Sequence, residues 1–222
     1  MTSPEQEHFL PISPNDHFSF HCTRCAECCR HVHDSVAISS LDVFRLTKYL
    51  RDHGVGVGST DDVLSRFASP LLITEAGFFA YFLNTVGEDE HCIFLNGNRC
   101  SIQDAKPNAC RMYPLQAAPD KDGSFQIVLC TEKRHHFKGN SVKVKNWFNF
   151  NMPADVREFY RFELGTAPTI QRLLLAIPES RKSHALLLFH QYLYFDFDLD
   201  KSFINQFRVN TGKLMRALEG LK

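Results

Sequence analysis

The sequence predicts an α+β fold: a small cysteine-rich core of short strands and helices, with a helical C-terminal part completing it. Three observations predict this. All eight cysteines, Cys22, Cys25, Cys28, Cys29, Cys92, Cys100, Cys110 and Cys130, precede residue 131. Turn dipeptides break the stretch before Cys130 into short apolar runs, and beyond Pro153 the apolar residues recur at helical spacing. The expected organisation is a flexible N-terminus over 1–17, a cysteine-bearing domain over 18–135 and a helical extension over 136–222 that packs on it.

In chain order, "ISSLDVFRLTKYLRDHG" reads as a helix. Ser39 and Asp42 have capping-box spacing, Val43, Leu46 and Leu50 repeat with its period, and Gly54 can stop it. Ser59 and Asp62 repeat the cap before a second short helix that Pro70 ends. Leu71 to Leu83 is extended and aromatic. "HCIFLNGNRCSI" reads as a hairpin turning at Asn96-Gly97, and "DGSFQIVLC" as a strand behind Asp122-Gly123. "PADVREFYRFELG" is a helix that starts at Pro153 and ends at Gly165. "PTIQRLLLAI", "SHALLLFHQYLYFDFD" and "SFINQFRVNTGKLMRALEG" supply three more helical segments.

Composition excludes several classes. A 44% hydrophobic content can build a genuine core, so disorder is not expected outside the ends. Lys and Arg total 25 and Asp and Glu total 25, which gives no general electrostatic reason to bind nucleic acid or an anionic membrane. The opening "MTSPEQEHFLPISPNDHF" lacks the basic start and apolar run of a secretory signal. The longest apolar run, Ala185 to Phe195, contains His190 and Gln191 and is too short to span a bilayer. A cytoplasmic location is expected. Thiols stay reduced there, so dense cysteines argue for a metal rather than a disulfide framework.

The stretch "FHCTRCAECCRHVH" has the rhythm Cys22-x2-Cys25-x2-Cys28, in which tight turns let successive sulfurs converge on one centre. Thiolates on a tetrahedral zinc stand roughly 3.8 Å apart, which such a turn supplies. The same rhythm matches three ligands of a cubane iron–sulfur cluster, with a fourth such as Cys110 from elsewhere. A 4Fe–4S cluster is preferred over zinc, because structural zinc more often uses separated pairs. Adjacent side chains usually diverge, so Cys29 faces a second centre, belongs to the packing or is a reactive thiol. Eight sulfurs divide equally into two four-ligand sites, but one site with spare thiols satisfies the coordination rules as well.

"FHCTRCAECCRH", "AISSLDVFRL" and "CIFLNGNRCSIQDAKPNACRMYPL" together resemble the cysteine-cluster family called YkgJ, the zinc- or iron-chelating CxxCxxCC proteins. The resemblance covers about residues 20 to 130. It implies metal binding by Cys22, Cys25, Cys28, Cys29, Cys92, Cys100 and Cys110, with Cys130 at a downstream position. Ala26 stands where glycine is common, and Lys106 replaces the frequent arginine before Pro107. A related cysteine arrangement occurs in the much longer flagellin lysine N-methylases, from which the metal carries over and methyl transfer does not.

Other residues are weighed against plainer roles. Arg24, Arg30, Arg99 and Arg111 lie beside cysteines and could offset thiolate charge; Arg111 is the first candidate, against ordinary surface arginine. His21, His31, His33 and His91 could replace a sulfur, and "RHH" at Arg134 to His136 is ambiguous; with eight cysteines, surface or packed histidine is the expectation. The aromatic series from Phe189 to Phe197 reads as helix core, since Asp196, Asp198 and Asp200 would repel phosphates. No GxSxG, phosphate loop, GxGxxG or His-Glu-x-x-His assigns an enzyme activity. Three functions follow: a redox or metal-handling protein, a zinc-stabilised module that binds a protein partner, and an iron–sulfur enzyme.

Overall fold

The computed structural model describes residues 8–74 and 78–222. The first seven residues of the expected flexible N-terminus lie outside the described residues. Within the rest of that segment, β1 (Phe9–Pro11) pairs antiparallel with the late strand β11 (Phe125–Cys130), placing Phe9 opposite Cys130. β2 (His17–Ser19) pairs with β12 (Ser141–Lys143). Residues 9–19 are thereby laid beside the strand that ends in the last cysteine and the strand that follows it.

β3 (Ala37–Ile38) leads into α1 (Ser40–Asp52), where Ser39 Oγ accepts from the Asp42 N–H and the Asp42 carboxylate accepts from the Ser39 N–H, the expected capping box. α2 (Thr60–Phe67) starts with the same box from Ser59 and Asp62. β4 (Ala68–Leu72) and β5 (Phe79–Leu83) follow, giving a sheet of order β3-β5-β4. Two ribbons come next: β6 (Thr85–Val86) with β7 (His91–Cys92), and β8 (Leu95–Asn96) with β9 (Arg99–Cys100). The second is the expected hairpin with its turn one residue later. Asn96 pairs with Arg99, so Gly97 (φ 60°) and Asn98 form the turn, and only the first central residue needs positive φ.

The short helix α3 (Asn108–Met112) precedes β10 (Leu115–Pro119), which with β11 and β1 makes a sheet of order β1-β11-β10. Pro11, Pro70 and Pro119 all lie on edge strands, where a missing N–H breaks no ladder. The helical part comprises α4 (Val144–Asn151), α5 (Ala154–Leu175), α6 (Glu179–His190) and α7 (Phe203–Glu219), with a π turn (Gln191–Phe195) extending α6.

Gly165 does not terminate its helix: α5 runs through Gly165 and Pro168, merging two predicted segments into one of 22 residues. Glycine costs about 1 kcal/mol and proline about 3 kcal/mol inside a helix. Burial of Val156, Phe159, Ile170, Leu173 and Leu174 on one continuous stripe outweighs both. A single buried cluster extends from Phe18 to Leu218, so the cysteine-bearing strands and the C-terminal helices share one core. Among the described residues, no helix is long and apolar enough to cross a membrane.

Candidate metal centre

Between Phe20 and Arg30 the only regular structure is a 3-10 turn at Glu27–Cys29. Arg24 (φ 57°) and Ala26 (φ 64°) adopt the left-handed conformation, which curls the loop so that Cys22, Cys25, Cys28 and Cys29 all line one cavity of about 390 Å³. Ala26 is where the family favours glycine, and its positive φ explains why.

Cys25 Sγ lies 3.0 Å from His136 Nε2 and 3.6 Å from His135 Nε2. The three donor atoms fall within 4.8 Å of one another. A thiolate and an imidazole nitrogen on tetrahedral zinc are separated by about 3.6 Å, so this spacing fits a bound ion. Two features orient the histidines: the 3-10 turn Arg134–His136, and the His21 N–H donating to the His136 carbonyl at 3.3 Å. His136 Nδ1 is 2.7 Å from the Tyr113 hydroxyl. With a metal on Nε2, Nδ1–H would donate to that oxygen, fixing tautomer and ring plane as metal-bound histidines require.

Local charge favours the ligand forms. Burial lowers the pKa of His136, which keeps its imidazole neutral. At Cys25 burial opposes ionisation, but hydrogen bonds from His135, the Glu27 N–H and Thr23 outweigh it and the pKa falls. The Glu27 bond belongs to a recurrent turn. The N–H two residues on also stands at the sulfur of Cys92 (from Phe94) and of Cys100 (from Ile102), lowering thiol pKa values that burial has raised. Backbone amides aimed at sulfur offset thiolate charge, as a cysteine–metal site needs.

A second group of sulfurs adjoins the first. Cys28 Sγ and Cys29 Sγ are 3.8 Å apart, because the 3-10 turn brings neighbouring side chains together where they were expected to diverge. The contact between them, in which either thiol can donate, raises the pKa of Cys28 and lowers that of Cys29. Charge on Cys110, Cys100 and Cys92 is felt at Cys29, opposing its ionisation. The β6–β7 ribbon supplies Cys92, the β8–β9 hairpin supplies Cys100, and α3 supplies Cys110, whose thiol burial pushes up to about 12. Lys106 eases ionisation of Cys28, Cys100 and Cys110. That role was expected of Arg111, which instead donates to the Asp104 carbonyl at 3.3 Å.

The remaining candidates are placed as follows. Cys22 is exposed at the same cavity; Cys130 is buried at the end of β11, and its N–H donates to the Pro114 carbonyl. Arg30 pairs with Asp89, which also holds His91 Nδ1 at 2.6 Å. His33 meets Thr85 Oγ1 at 3.3 Å, and neither it, His21, His31 nor His91 joins the metal-ligating group among the described residues. Sequence reasoning left His135 and His136 ambiguous, with surface or packed histidine as the expectation. The available signal was a histidine pair five residues beyond the last cysteine.

This geometry coincides with a family. Residues 21–137 match the CxxCxxCC family, described as a "Putative zinc- or iron-chelating domain", and the chain belongs to it. The matched span holds all eight cysteines and both histidines of the Cys/His group. A search of curated proteins and a search of solved structures return no match to the chain. A metal-chelating protein with an α+β fold is thus defined by family, fold and Cys/His cluster together.

Proposed function

We propose that the protein is a cytoplasmic metal-handling protein that chelates zinc through Cys22, Cys25, His135 and His136. The convergence of Cys25 with two imidazoles carries this reading, since mixed nitrogen and sulfur donors are zinc's ligand set. Cys22 stands outside that three-atom group and would complete it as fourth ligand, given its two-residue spacing from Cys25 and its place on the same cavity. Zinc bound there would act as the positive centre for the thiolate charge, while Tyr113 sets the His136 tautomer and Glu27 N–H supports the Cys25 thiolate. Exposure of Cys22 leaves one ligand open to competing thiols, which favours exchange over a purely structural role.

A second reading attaches to Cys28, Cys29, Cys92, Cys100 and Cys110. This all-sulfur group is suited to a 4Fe–4S cluster, with Lys106 offsetting its charge. Protein purified without oxygen from cells replete in both metals separates the two. Zinc at about one ion per chain, lost in Cys25→Ser and in His136→Gln, supports the first. Brown protein whose visible absorbance bleaches on reduction and survives His136→Gln supports the second. Folded protein free of both metals overturns chelation altogether.

A further inference from the structure

A half-buried glutamate interrupts the apolar stripe of α5. Glu163 lies four residues after Phe159 and seven before Ile170, where the helical period calls for an apolar side chain. It faces a cavity of about 600 Å³ bounded by α5, α3, the β3–β5 strands and the end of α6. Phe79, Met112, Ile170, Phe189 and Phe207 make its walls largely apolar. Among the described lining residues Glu163 carries the only carboxylate, and none is lysine, arginine or histidine.

Glu163 is half-buried, and a carboxylate partly withdrawn from water beside apolar walls gains from a cation that pairs with it. Burial first, and Asp42 second, raise the Glu163 carboxyl to about 7, and no donor or cation among the described residues pulls it back. The volume is that of a small-molecule site. Ile73 and Leu164, 53% and 40% exposed, line it and place its mouth at the surface. It is distinct from the metal centre: Asn108, Ala109 and Met112 of α3 face the cavity, whereas Cys110 belongs to the thiol group.

We propose that this cavity binds a small amphipathic amine, with its apolar body against Phe79, Ile170 and Phe189 and its ammonium group paired with Glu163. A cation supplies what the lining lacks. A neutral alcohol would offer the carboxylate a hydrogen bond but no opposite charge, and an anion would be repelled.

The test is calorimetric titration of the full, metal-loaded chain at pH 7.4 with octylamine, octanol and octanoate, each below its micellar concentration. Octylamine is expected to bind at least about tenfold more tightly than octanol, the scale of a charge-assisted hydrogen bond, and octanoate not to bind. Glu163→Gln keeps the shape and should bring octylamine to the octanol level with zinc content unchanged. Equal binding of octylamine and octanol by the wild-type chain, wild-type octylamine affinity in Glu163→Gln, or no octylamine binding would each overturn the proposal.

Discussion

Ala26 shows how one residue's backbone sets the geometry of the metal loop. Its φ of 64° costs an L-residue roughly 1–2 kcal/mol, and the turn it makes carries Cys25 and Cys28 to one cavity. Ala26→Gly should therefore leave metal content intact and raise stability by up to about 1 kcal/mol, read by chemical denaturation; a loss of more than that would mean the turn is not strained. Glu163 makes a pH prediction. Its carboxyl rises from an ordinary 4.5 to about 7, so the folded state holds more protons than the unfolded state between those values. Stability should then fall as pH rises from about 4.5 to about 7, by at most about 3 kcal/mol, and this slope should be absent from Glu163→Gln. Denaturation of both proteins at pH 5 and pH 7 measures the difference.

At the scale of elements, the cap of α1 has a second task. Asp42 Oδ1 accepts the Asn108 N–H at 2.8 Å, so one buried carboxylate both closes the capping box and holds the first turn of the helix that bears Cys110. Asp42→Ala should cost about 2–4 kcal/mol, more than a cap alone, because the loss of the cap adds to an orphaned buried N–H. A loss below about 1 kcal/mol would show that α3 is held otherwise. Gly139 joins the histidine turn to β12 at φ 127°, and a Cβ there would stand 2.8 Å from the His21 Cβ. Gly139→Ala should push the His135–His136 turn away from the cysteine loop and lower bound zinc, measured by elemental analysis. The helix caps and the Cys100 hairpin were legible in sequence because their signals lie within four residues of the atoms they position. The length of α5 was not, since Gly165 and Pro168 are local stop signals that only a distant core overrides.

For the whole molecule, metal and fold are linked through residues far apart in the chain. The loop at Cys25 and the histidine turn come from the two ends of the matched domain, and the strands just outside it, β2 and β12, pair with each other. A ligand that binds only the folded state stabilises it by about 2.7 kcal/mol at a hundredfold excess over its dissociation constant. Zinc should accordingly raise the melting temperature of the stripped protein, and a strong chelator should lower that of the loaded one. In Cys25→Ser the zinc-dependent shift should shrink; an unchanged shift would place the ion elsewhere.

By itself the sequence determined the α+β class, the capped starts of α1 and α2, the presence of the Cys100 hairpin and the confinement of sulfur to the first part of the chain. These follow from propensities and hydrogen bonds acting over a few residues, and from the spacing of the cysteines along the chain. Tertiary structure alone decided that Cys25 meets His135 and His136, 110 and 111 residues away, and that Glu163 faces a cavity rather than water. Such meetings depend on how separate elements pack into a common core, and no local pattern of side chains encodes that packing.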